Sequence, residues 1–308
     1  MDRPAPLIII TGPTGSGKTG LAFSVAHDHP VEVISADSMQ VYRYMDIATD
    51  KPTHLQRKKL PHHLVDIRNP DESFDAGSFT ALARKKIIHI RAKGGIPLVV
   101  GGTGLYIKAL LYGLCQAPPR SEALRRTLRD ISDKKGASHL WSYLRRLDPQ
   151  LAERVSPHDA ARLIRYLEII FLTGQAPSTL HARHGFERPG LDARIFCLVP
   201  ERETLYTDID TRVDAMLERG LVRETERLLS MGYTRDLAPM KALAYKHVVA
   251  YLDSEISLDA AVGLIQRDTR HYAKRQLTWN RGQYDPSCFY TLASAFQAIE
   301  RLLKDPIS

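Results

Sequence analysis

The clearest chemical signature in the chain lies at residues 12–19, which read Gly-Pro-Thr-Gly-Ser-Gly-Lys-Thr and match G-x-x-x-x-G-K-[ST] throughout. The apolar run 7–10 predicts a buried strand before this P-loop motif, and residues from 20 onward predict a helix. The glycines let consecutive backbone N–H groups converge on an anion, and the helix start adds its positive dipole. Lys18 supplies a full charge, and the Thr19 hydroxyl suits Mg²⁺. The motif predicts a polyphosphate site but identifies neither ligand nor reaction.

Two further polar residues follow predicted strands. Asp37 comes after the apolar run 31–36, and Thr103 lies among glycines after the run 96–100. Because the carboxyl ends of parallel strands meet at one edge of a sheet, we expect both residues beside the P-loop. Asp37 either caps a loop, holds Mg²⁺ or accepts a proton, and its position favours a role in the site.

The role of Arg212 stays open at this point. It lies between Asp210 and Asp214, so it either pairs with these acidic neighbours or reaches the phosphate. His62 and His63 lack partners at metal-ligand spacing, so we interpret them as structural or surface residues.

One expected residue type is missing near the P-loop. P-loop ATPases usually place an acidic residue after an apolar strand to hold Mg²⁺. Here the run 96–100 leads into Gly101 and Gly102, while Asp66 follows only two apolar residues. The sequence indicates a phosphate site without the machinery for hydrolysing ATP.

Strands and helices alternate over the first hundred residues, which predicts an α/β fold with a P-loop NTPase-like parallel sheet flanked by helices. Residue 63 begins a third short strand, predicted over 63–67. The pattern becomes helical after residue 116, and the run 195–199 predicts a return to the sheet. We therefore expect a catalytic core of residues 1–116 and 191–308, with an inserted all-helical subdomain at 117–190.

Two helices carry basic residues. The helix predicted from an N-cap at Ser156 to Gly174 has an apolar stripe that includes Phe171, and it places Arg162 and Arg165 on one face. A second helix, over residues 262–281, has a buried stripe that includes Gln276, and a basic face formed by Arg267, Arg270, Lys274 and Arg281. That face is either a solvated surface, the more usual meaning, or a rail for a phosphate backbone.

Composition indicates an ordinary globular enzyme. The 308 residues are 44% hydrophobic and 25% charged, with a net charge of +8 that suits a polyanionic partner. The three cysteines form no C-x-x-C motif, and no apolar run approaches a membrane span. Because the first strand begins near Leu7, we expect no signal peptide, no membrane association and a cytoplasmic location.

Longer stretches of the sequence resemble the tRNA dimethylallyltransferases, also called tRNA isopentenyltransferases. The matching signatures cover nearly the whole chain in order. They are residues 12–19, 34–43, 45–52, 63–66, 101–106, 159–162 with 167–168, and 269–281. Together these motifs are highly specific, although the P-loop alone is not.

The resemblance implies transfer of a dimethylallyl group from dimethylallyl diphosphate to N6 of the adenosine 3′ to the anticodon, position 37 of the tRNA. The diphosphate is then bound, in place of ATP, by Gly12, Pro13, Thr14, Gly15, Ser16, Gly17, Lys18 and Thr19. Asp37 is implied as the general base and Thr103 as a contact of the bridging oxygen. Lys18, Arg212 and Mg²⁺ held by Thr19 are implied to stabilise the leaving pyrophosphate.

The resemblance also implies that the adenine flips out of its stack and that the helical insertion clasps the anticodon stem-loop. The implied tRNA-binding residues are Asp37, Ser38, Met39, Gln40, Thr103, Arg125, Ala161, Arg162, Leu163, Ile164, Arg165, Ala242, Leu243, Ala244, Tyr245, Lys246, His247, Lys274, Arg275 and Arg281. This assigns the basic face of residues 262–281 to RNA. Without the zinc-finger extension of eukaryotic members, we expect a bacterial form that acts as a monomer.

The sequence departs from the family pattern at several positions. Ala244 stands where a glycine is usual, His247 where a glutamate is usual, and Asn280 replaces an aromatic residue. Ala48 also replaces a glycine. Two alternative functions remain to be tested: a small-molecule kinase that uses ATP at the P-loop, and a non-catalytic RNA-binding protein.

Overall fold

A computed structural model of the chain describes residues 6–185, 191–283 and 286–304. Its strands are Leu7–Thr11 (β1), Val31–Ser35 (β2), His62–His63 (β3), Ile96–Val100 (β4), Ala193–Leu198 (β5) and Ser287–Phe289 (β6). They form one sheet in the order β3-β2-β4-β1-β5-β6, and every neighbouring pair is parallel. The predicted parallel α/β fold is confirmed.

The chain divides into two compact units, one from residues 1–111 and 190–308 and the other from residues 112–189. The early helices of the first unit are Lys18–Asp28 (α1), His54–Lys59 (α2), Ala76–Ala92 (α3) and Gly104–Tyr112 (α4). The helices of the second unit are Glu122–Lys135 (α5), Ala137–Leu147 (α6), Pro149–Ala152 (α7), Ala160–Thr173 (α8) and Pro177–His184 (α9). The late helices of the first unit are Arg202–Glu218 (α10), Leu221–Ser230 (α11), Tyr245–Leu252 (α12), Leu258–Gln283 (α13) and Leu292–Lys304 (α14), with a 3₁₀ turn at Ala238–Lys241.

The sheet is covered on both faces, which explains why its central strands are apolar throughout. Ile8 and Ile10 of β1 point to the face packed by α1 and α14. Because side chains alternate along a strand, Leu7 and Ile9 point the opposite way, and they are also buried. Continuous apolar runs are typical of parallel strands covered on both faces.

A second core in the first unit lies among α10, α11, α12 and α13. Met216, Leu228, Tyr245 and Ile265 are buried there together with Met45 from the segment after β2. This core therefore attaches residues 41–48 to the late helices.

The described part of the second unit is entirely helical. Leu128 of α5, Leu140 and Leu144 of α6, and Leu163 and Leu167 of α8 form its core. Each contributes an apolar stripe at helical spacing.

Three local predictions differ from the structure. The strand predicted over 63–67 is confined to β3, because Leu64 and Asp66 have φ angles of 63° and 58°. The helix expected from Ser156 begins at Ala160, where the Asp159 side chain accepts from the N–H of Arg162. Phe171, expected in the apolar stripe, is 52% exposed, because the buried stripe of α8 runs through its neighbours instead.

Candidate active site

Residues 12–19 connect β1 to α1, as the motif predicts. Gly12, Gly15 and Gly17 have φ angles of 146°, 80° and 80°, in the range that glycine adopts without strain. A Cβ atom on Gly12 would lie 2.7 Å from the carbonyl oxygen of Leu198, so this position has room only for hydrogen. No described side chain caps the N-terminus of α1, which leaves its first N–H groups available to an anion.

Lys18 is the first residue of α1, and its ammonium group folds over the loop. Nζ donates to the carbonyl oxygens of Gly12 at 3.1 Å and Pro13 at 2.6 Å. The pKa of Lys18 is lowered from 10.5 to about 8, chiefly by burial and next by Arg212, while Asp37 opposes the shift. A bound polyanion would favour the ammonium form, so ligand binding and the charge of Lys18 are linked.

Arg212 reaches the P-loop from α10. Its Nη1 donates to the hydroxyl of Thr14 at 2.9 Å. Nε of Arg212 and the hydroxyl of Ser16 are buried, and neither has a hydrogen bond within the described residues. Buried polar groups normally have a partner, and the oxygens of a phosphate would supply one to both.

The acidic neighbours of Arg212 are engaged elsewhere. Asp210 pairs with Arg270, and Asp214 accepts from a glutamine of α13. The carboxylate closest to Nε is that of Asp50, at 3.7 Å. Of the two possibilities that the sequence left open, the structure supports the one that places Arg212 at the P-loop.

Asp37 and Thr103 meet at the turn after β2. Oδ1 of Asp37 accepts from the N–H groups of Met39 at 2.8 Å and Gln40 at 3.3 Å. Oγ1 of Thr103 accepts from the N–H of Ser38 at 3.0 Å. Within the described residues Oδ2 of Asp37 accepts no hydrogen bond, so one oxygen is fixed and the other remains available to a substrate.

Tyr272 on α13 is close to both residues. Burial raises the pKa of Tyr272 to about 12, and the charge of Asp37 contributes to this increase. Arg275 and a hydrogen bond with Thr103 oppose it. Tyr272 is therefore a neutral phenol near pH 7. It adds a polar group beside Asp37 without adding charge.

Gln276 contacts two glycine-rich loops at once. Its Oε1 accepts from the N–H of Thr14 at 2.8 Å, and its Nε2 donates to the carbonyl oxygen of Gly102 at 2.9 Å. The apolar periodicity of α13 places this residue only in a buried stripe. The available signal was a glutamine at a position where the helical period requires an apolar residue.

Most of these groups line one cavity of about 630 Å³, but Thr103 and Ser16 are not among its lining residues. Its polar end contains Thr14, Lys18, Thr19, Asp37, Arg212 and Gln276. Its apolar wall contains Met39, Ile209, Val213, Met216, Leu243 and Ile265. A phosphate end joined to an apolar wall suits a ligand that is itself half polyanion and half hydrocarbon.

The segment 46–48 is attached to α11 by Glu224. The carboxylate accepts from the backbone N–H groups of Asp46, Ile47 and Ala48, at 2.8–3.3 Å. The hydroxyl of Tyr245 donates to the same carboxylate at 2.7 Å. These bonds fix one side of the cavity.

Comparison with known proteins decides the family. Residues 40–283 match the sequence profile described as IPP transferase. The chain belongs to the IPP transferase family. It is 46% identical to tRNA dimethylallyltransferase 2 of Geotalea uraniireducens over 94% of this chain and 95% of that protein. It is 45% identical to tRNA dimethylallyltransferase 1 of Syntrophotalea carbinolica over 90% of this chain and 88% of that protein.

Solved structures of IPP transferases have the same fold. The full-length tRNA isopentenylpyrophosphate transferase of Bacillus halodurans matches with a TM-score of 0.72 and 36% identity, over 98% of this chain and 96% of that one. A eukaryotic dimethylallyltransferase, solved acting on tRNA, matches with a TM-score of 0.78 and 27% identity, over 97% of this chain and 78% of that one. The resemblance identified from the sequence is confirmed.

The IPP transferase signatures after residue 240 contribute to the cavity and to the structure around it. Ala242, Leu243, Ala244 and Tyr245 line the cavity. Tyr245 is 1% exposed, so its side chain contributes to the wall rather than to an open surface. The next two residues, Lys246 and His247, both contact the carboxylate of Asp268, at 2.7 and 3.0 Å.

The basic face predicted on α13 is present in part. Lys274, Arg275 and Arg281 are exposed. Arg270 is paired with Asp210 and is half-buried. The exposed members of this face remain candidates for RNA contact.

In the second unit, two of the arginines expected to bind tRNA are engaged by a buried carboxylate. Arg125 and Arg165 both donate to Glu168, which is 0% exposed, and the N–H of Ser121 donates to it as well. Burial would raise the pKa of Glu168, but these hydrogen bonds lower it below its usual value. Arg125 and Arg165 thus stabilise the unit, which their sequence signature did not reveal.

The remaining expected contacts on α8 differ in exposure. Arg162 is exposed and lies 3.4 Å from Asp159. Leu163 and Ile164 are buried in the helical core, and their expected part in tRNA binding stays a prediction. Ala161 is exposed.

His62 and His63, interpreted from the sequence as structural or surface residues, each contact another part of the protein. His63 lies 2.6 Å from Glu32, and Nδ1 of His62 lies 2.7 Å from the carbonyl oxygen of Leu60. The described part of the chain contains no cluster of three metal-binding side chains and no helix long and apolar enough to cross a membrane.

Proposed function

We propose that this protein transfers a dimethylallyl group from dimethylallyl diphosphate to N6 of the adenosine 3′ to the anticodon of tRNA. The observation that carries the proposal is that Asp37 shares one cavity with the P-loop and with an apolar wall. A diphosphate at the P-loop and an acceptor amine at Asp37 would lie together in that cavity. Membership of the IPP transferase family supports the same reaction.

The donor is better explained as a prenyl diphosphate than as ATP. β4 leads into Gly101, so no carboxylate follows that strand. Asp66, the other candidate for a Mg²⁺-binding acid, is bound by Lys51 at 2.7 Å and by Arg57 at 2.6 Å. Neither of these two strand-end positions offers a kinase a free metal-binding acid, whereas the apolar wall suits a five-carbon chain.

The reaction displaces pyrophosphate. The N6 lone pair forms a bond to C1 of the dimethylallyl group as the C1–O bond breaks, and the leaving pyrophosphate keeps that electron pair. Lys18, Arg212 and the N-terminus of α1 stabilise its developing negative charge. The hydroxyl of Thr103 donates to the bridging oxygen.

The amine becomes cationic as the new bond forms. Oδ2 of Asp37 accepts the proton that N6 then loses. Oδ1 is held by two backbone N–H groups, so the carboxylate is already oriented before the substrate arrives. Neutral Tyr272 beside it adds no second negative charge next to Asp37.

The residues present also suit Mg²⁺. Thr19 is exposed to the cavity and offers one hard oxygen beside the expected diphosphate. Mg²⁺ is commonly held by one or two protein oxygens together with phosphate oxygens and water. When bound, it would neutralise charge on the leaving group.

For the acceptor, we propose the anticodon stem-loop of tRNA, in the cytoplasm, with this protein as a monomer. Exposed arginine and lysine side chains on α13 and α8 support contact with a phosphate backbone. The exposed residues that the account assigns to RNA are Arg162, Lys274, Arg275 and Arg281.

The test is to incubate the purified protein with unmodified tRNA, Mg²⁺ and either dimethylallyl diphosphate or ATP. Mass spectrometry of the digested nucleosides is expected to find one dimethylallyl-adenosine with the first donor only. Turnover of ATP with a small acceptor, and no modified tRNA, would favour a kinase. Binding of tRNA without reaction of either donor would favour a non-catalytic RNA-binding protein.

A further inference from the structure

Gln276 is a buried polar side chain with no place in the reaction described above. It lies in the C-terminal half of α13, is 7% exposed, and borders the cavity. Both ends of its amide are hydrogen-bonded, to Thr14 and to Gly102. The opposite amide orientation would direct NH₂ at the N–H of Thr14 and the oxygen at the carbonyl of Gly102, so the orientation is fixed.

The two partners of Gln276 belong to the two halves of the site. Thr14 lies in the P-loop, where the donor diphosphate is expected. Gly102 immediately precedes Thr103, whose N–H donates to the carbonyl oxygen of Ala36 at 3.1 Å. The P-loop is thus connected to the turn that contains Asp37. The connection consists of the two hydrogen bonds of Gln276, the peptide bond between Gly102 and Thr103, and the hydrogen bond from Thr103 to Ala36.

The surroundings of Gln276 leave little freedom. A Cβ atom on Gly102 would lie 2.1 Å from Nε2 of Gln276. A Cβ atom on Gly104 would lie 2.1 Å from the indole ring of Trp279, one turn later on α13. The helix and the loop of residues 101–104 therefore lie in direct contact.

We propose that Gln276 is a positioning residue that sets the separation between the P-loop and the Thr103–Asp37 side of the site. The proposal rests on the transferase function argued above. A displacement reaction needs donor carbon and acceptor nitrogen in line and in contact, so a small change in this separation lowers the rate more than it lowers binding. Gln276 acts through Thr14 and Gly102, and it is not assigned a direct part in the chemistry.

The first test is Gln276→Met, which keeps length and removes both hydrogen bonds. We expect the single-turnover rate to fall about 10- to 100-fold, with pyrophosphate affinity changed less than about threefold. Gln266→Met, at a half-buried glutamine of the same helix that donates one hydrogen bond to Asp214, is the matched control and should keep the wild-type rate. A Gln276→Met rate within about twofold of wild type would overturn the proposal.

A double-mutant cycle with Thr103→Ala separates positioning from a general loss of structure. If Gln276 acts through the position of Thr103, then Gln276→Met should lower the single-turnover rate by less than about threefold in the Thr103→Ala background. The same factor in both backgrounds would overturn positioning through Thr103, because independent effects multiply. Thermal unfolding of each variant shows whether the measured rate belongs to folded protein.

A second readout does not depend on transferase activity. The chain has two tryptophans, so Trp141→Phe leaves Trp279 as the only one. We expect inorganic pyrophosphate to change Trp279 emission in this protein, because Gln276 connects the P-loop to the loop beneath the indole. Gln276→Met should remove that change while calorimetry still detects pyrophosphate binding.

The two readouts distinguish the two possible failures. An emission change that depends on Gln276, in a wild-type protein that modifies no tRNA, would refute the proposed function and keep the connection between the loops. An active wild-type protein whose Trp279 emission responds equally with and without Gln276 would refute the positioning role alone.

Discussion

Asp37 and Thr103 are held together through the backbone between them. The N–H of Ser38 donates to Oγ1 of Thr103, and the next N–H, that of Met39, donates to Oδ1 of Asp37. The proposed base and the proposed leaving-group donor are therefore positioned by consecutive amides of one turn, although they are far apart in the sequence. Substitutions that move this turn should affect both.

Lys18 should make diphosphate binding depend on pH. Its pKa is lowered to about 8, so it is an ammonium below that pH and neutral above it. We expect affinity for dimethylallyl diphosphate to fall as pH rises through about 8, because the charge is lost. Binding above pH 8 should take up a proton, which calorimetry in buffers of different ionisation enthalpy would detect.

Lys18→Met is the control for that experiment, since the ligand ionises in the same way with either protein. The variant should bind more weakly at pH 7 and show only the pH dependence of the ligand. An unchanged pH dependence in Lys18→Met would show that Lys18 is not the titrating group.

Gly101→Ala should destabilise the fold and displace the turn after β2. The new Cβ atom would lie 2.2 Å from the carbonyl oxygen of Ala36, and a backbone atom cannot rotate away. Overpacking of this kind costs about 1–3 kcal/mol. Gly263→Ala in α13 is the matched control, because nothing lies within 4 Å of its added Cβ.

Gly263→Ala should be neutral or should stabilise the helix by up to about 1 kcal/mol. Urea denaturation of both variants measures the difference. Equal stability of the two variants would contradict the close approach of Gly101 to β2.

Arg162 and Arg165 should respond differently to substitution by alanine. Arg162 is exposed, so its loss should weaken tRNA binding and lower the log–log salt slope by about one, with little change in stability. Arg165 is bound to buried Glu168, so its loss removes one charged hydrogen bond from a buried carboxylate that keeps Arg125 and should lower the free energy of unfolding by about 1–3 kcal/mol.

Filter binding over a salt series and thermal unfolding together measure both effects. An unchanged salt slope in Arg162→Ala would remove this face of α8 from the RNA interface. An Arg165→Ala protein as stable as wild type would contradict the structural role of Glu168.

The parts of the fold that the sequence predicted well are those that local chemistry determines. The P-loop needs glycines at Gly12, Gly15 and Gly17 for its positive φ angles, and the motif states that requirement directly. The central strands are continuous apolar runs between glycine-containing turns, so their number and order along the chain were clear.

Predictions of the fold were wrong or incomplete where two local signals were equally strong, or where a strand pairs with a strand far away in the sequence. Ser156 and Asp159 are both good N-cap residues, and only the fold decides that Asp159 caps α8. β6 has three residues and is defined by pairing with β5, about ninety positions earlier in the chain, so no local pattern predicts it.

The residue types of the site were predictable from the sequence, but the contacts between them were not. The P-loop and Asp37 follow from strand ends, whereas local sequence left the role of Arg212 open, and the structure places it on α10 beside Thr14. Gln276 contacts a residue 262 positions away, which no local pattern records. The same applies to Arg125, whose carboxylate partner lies 43 positions away.

Single-turnover transfer by Asp37→Asn is the most direct test of the account. Asparagine keeps one acceptor oxygen but cannot take the proton from N6, so we expect the rate to fall about 10²- to 10⁴-fold. Affinities for tRNA and dimethylallyl diphosphate should change less than about tenfold. A wild-type chemical rate in this variant would contradict the role of Asp37, and so would a defect confined to Mg²⁺ or diphosphate binding.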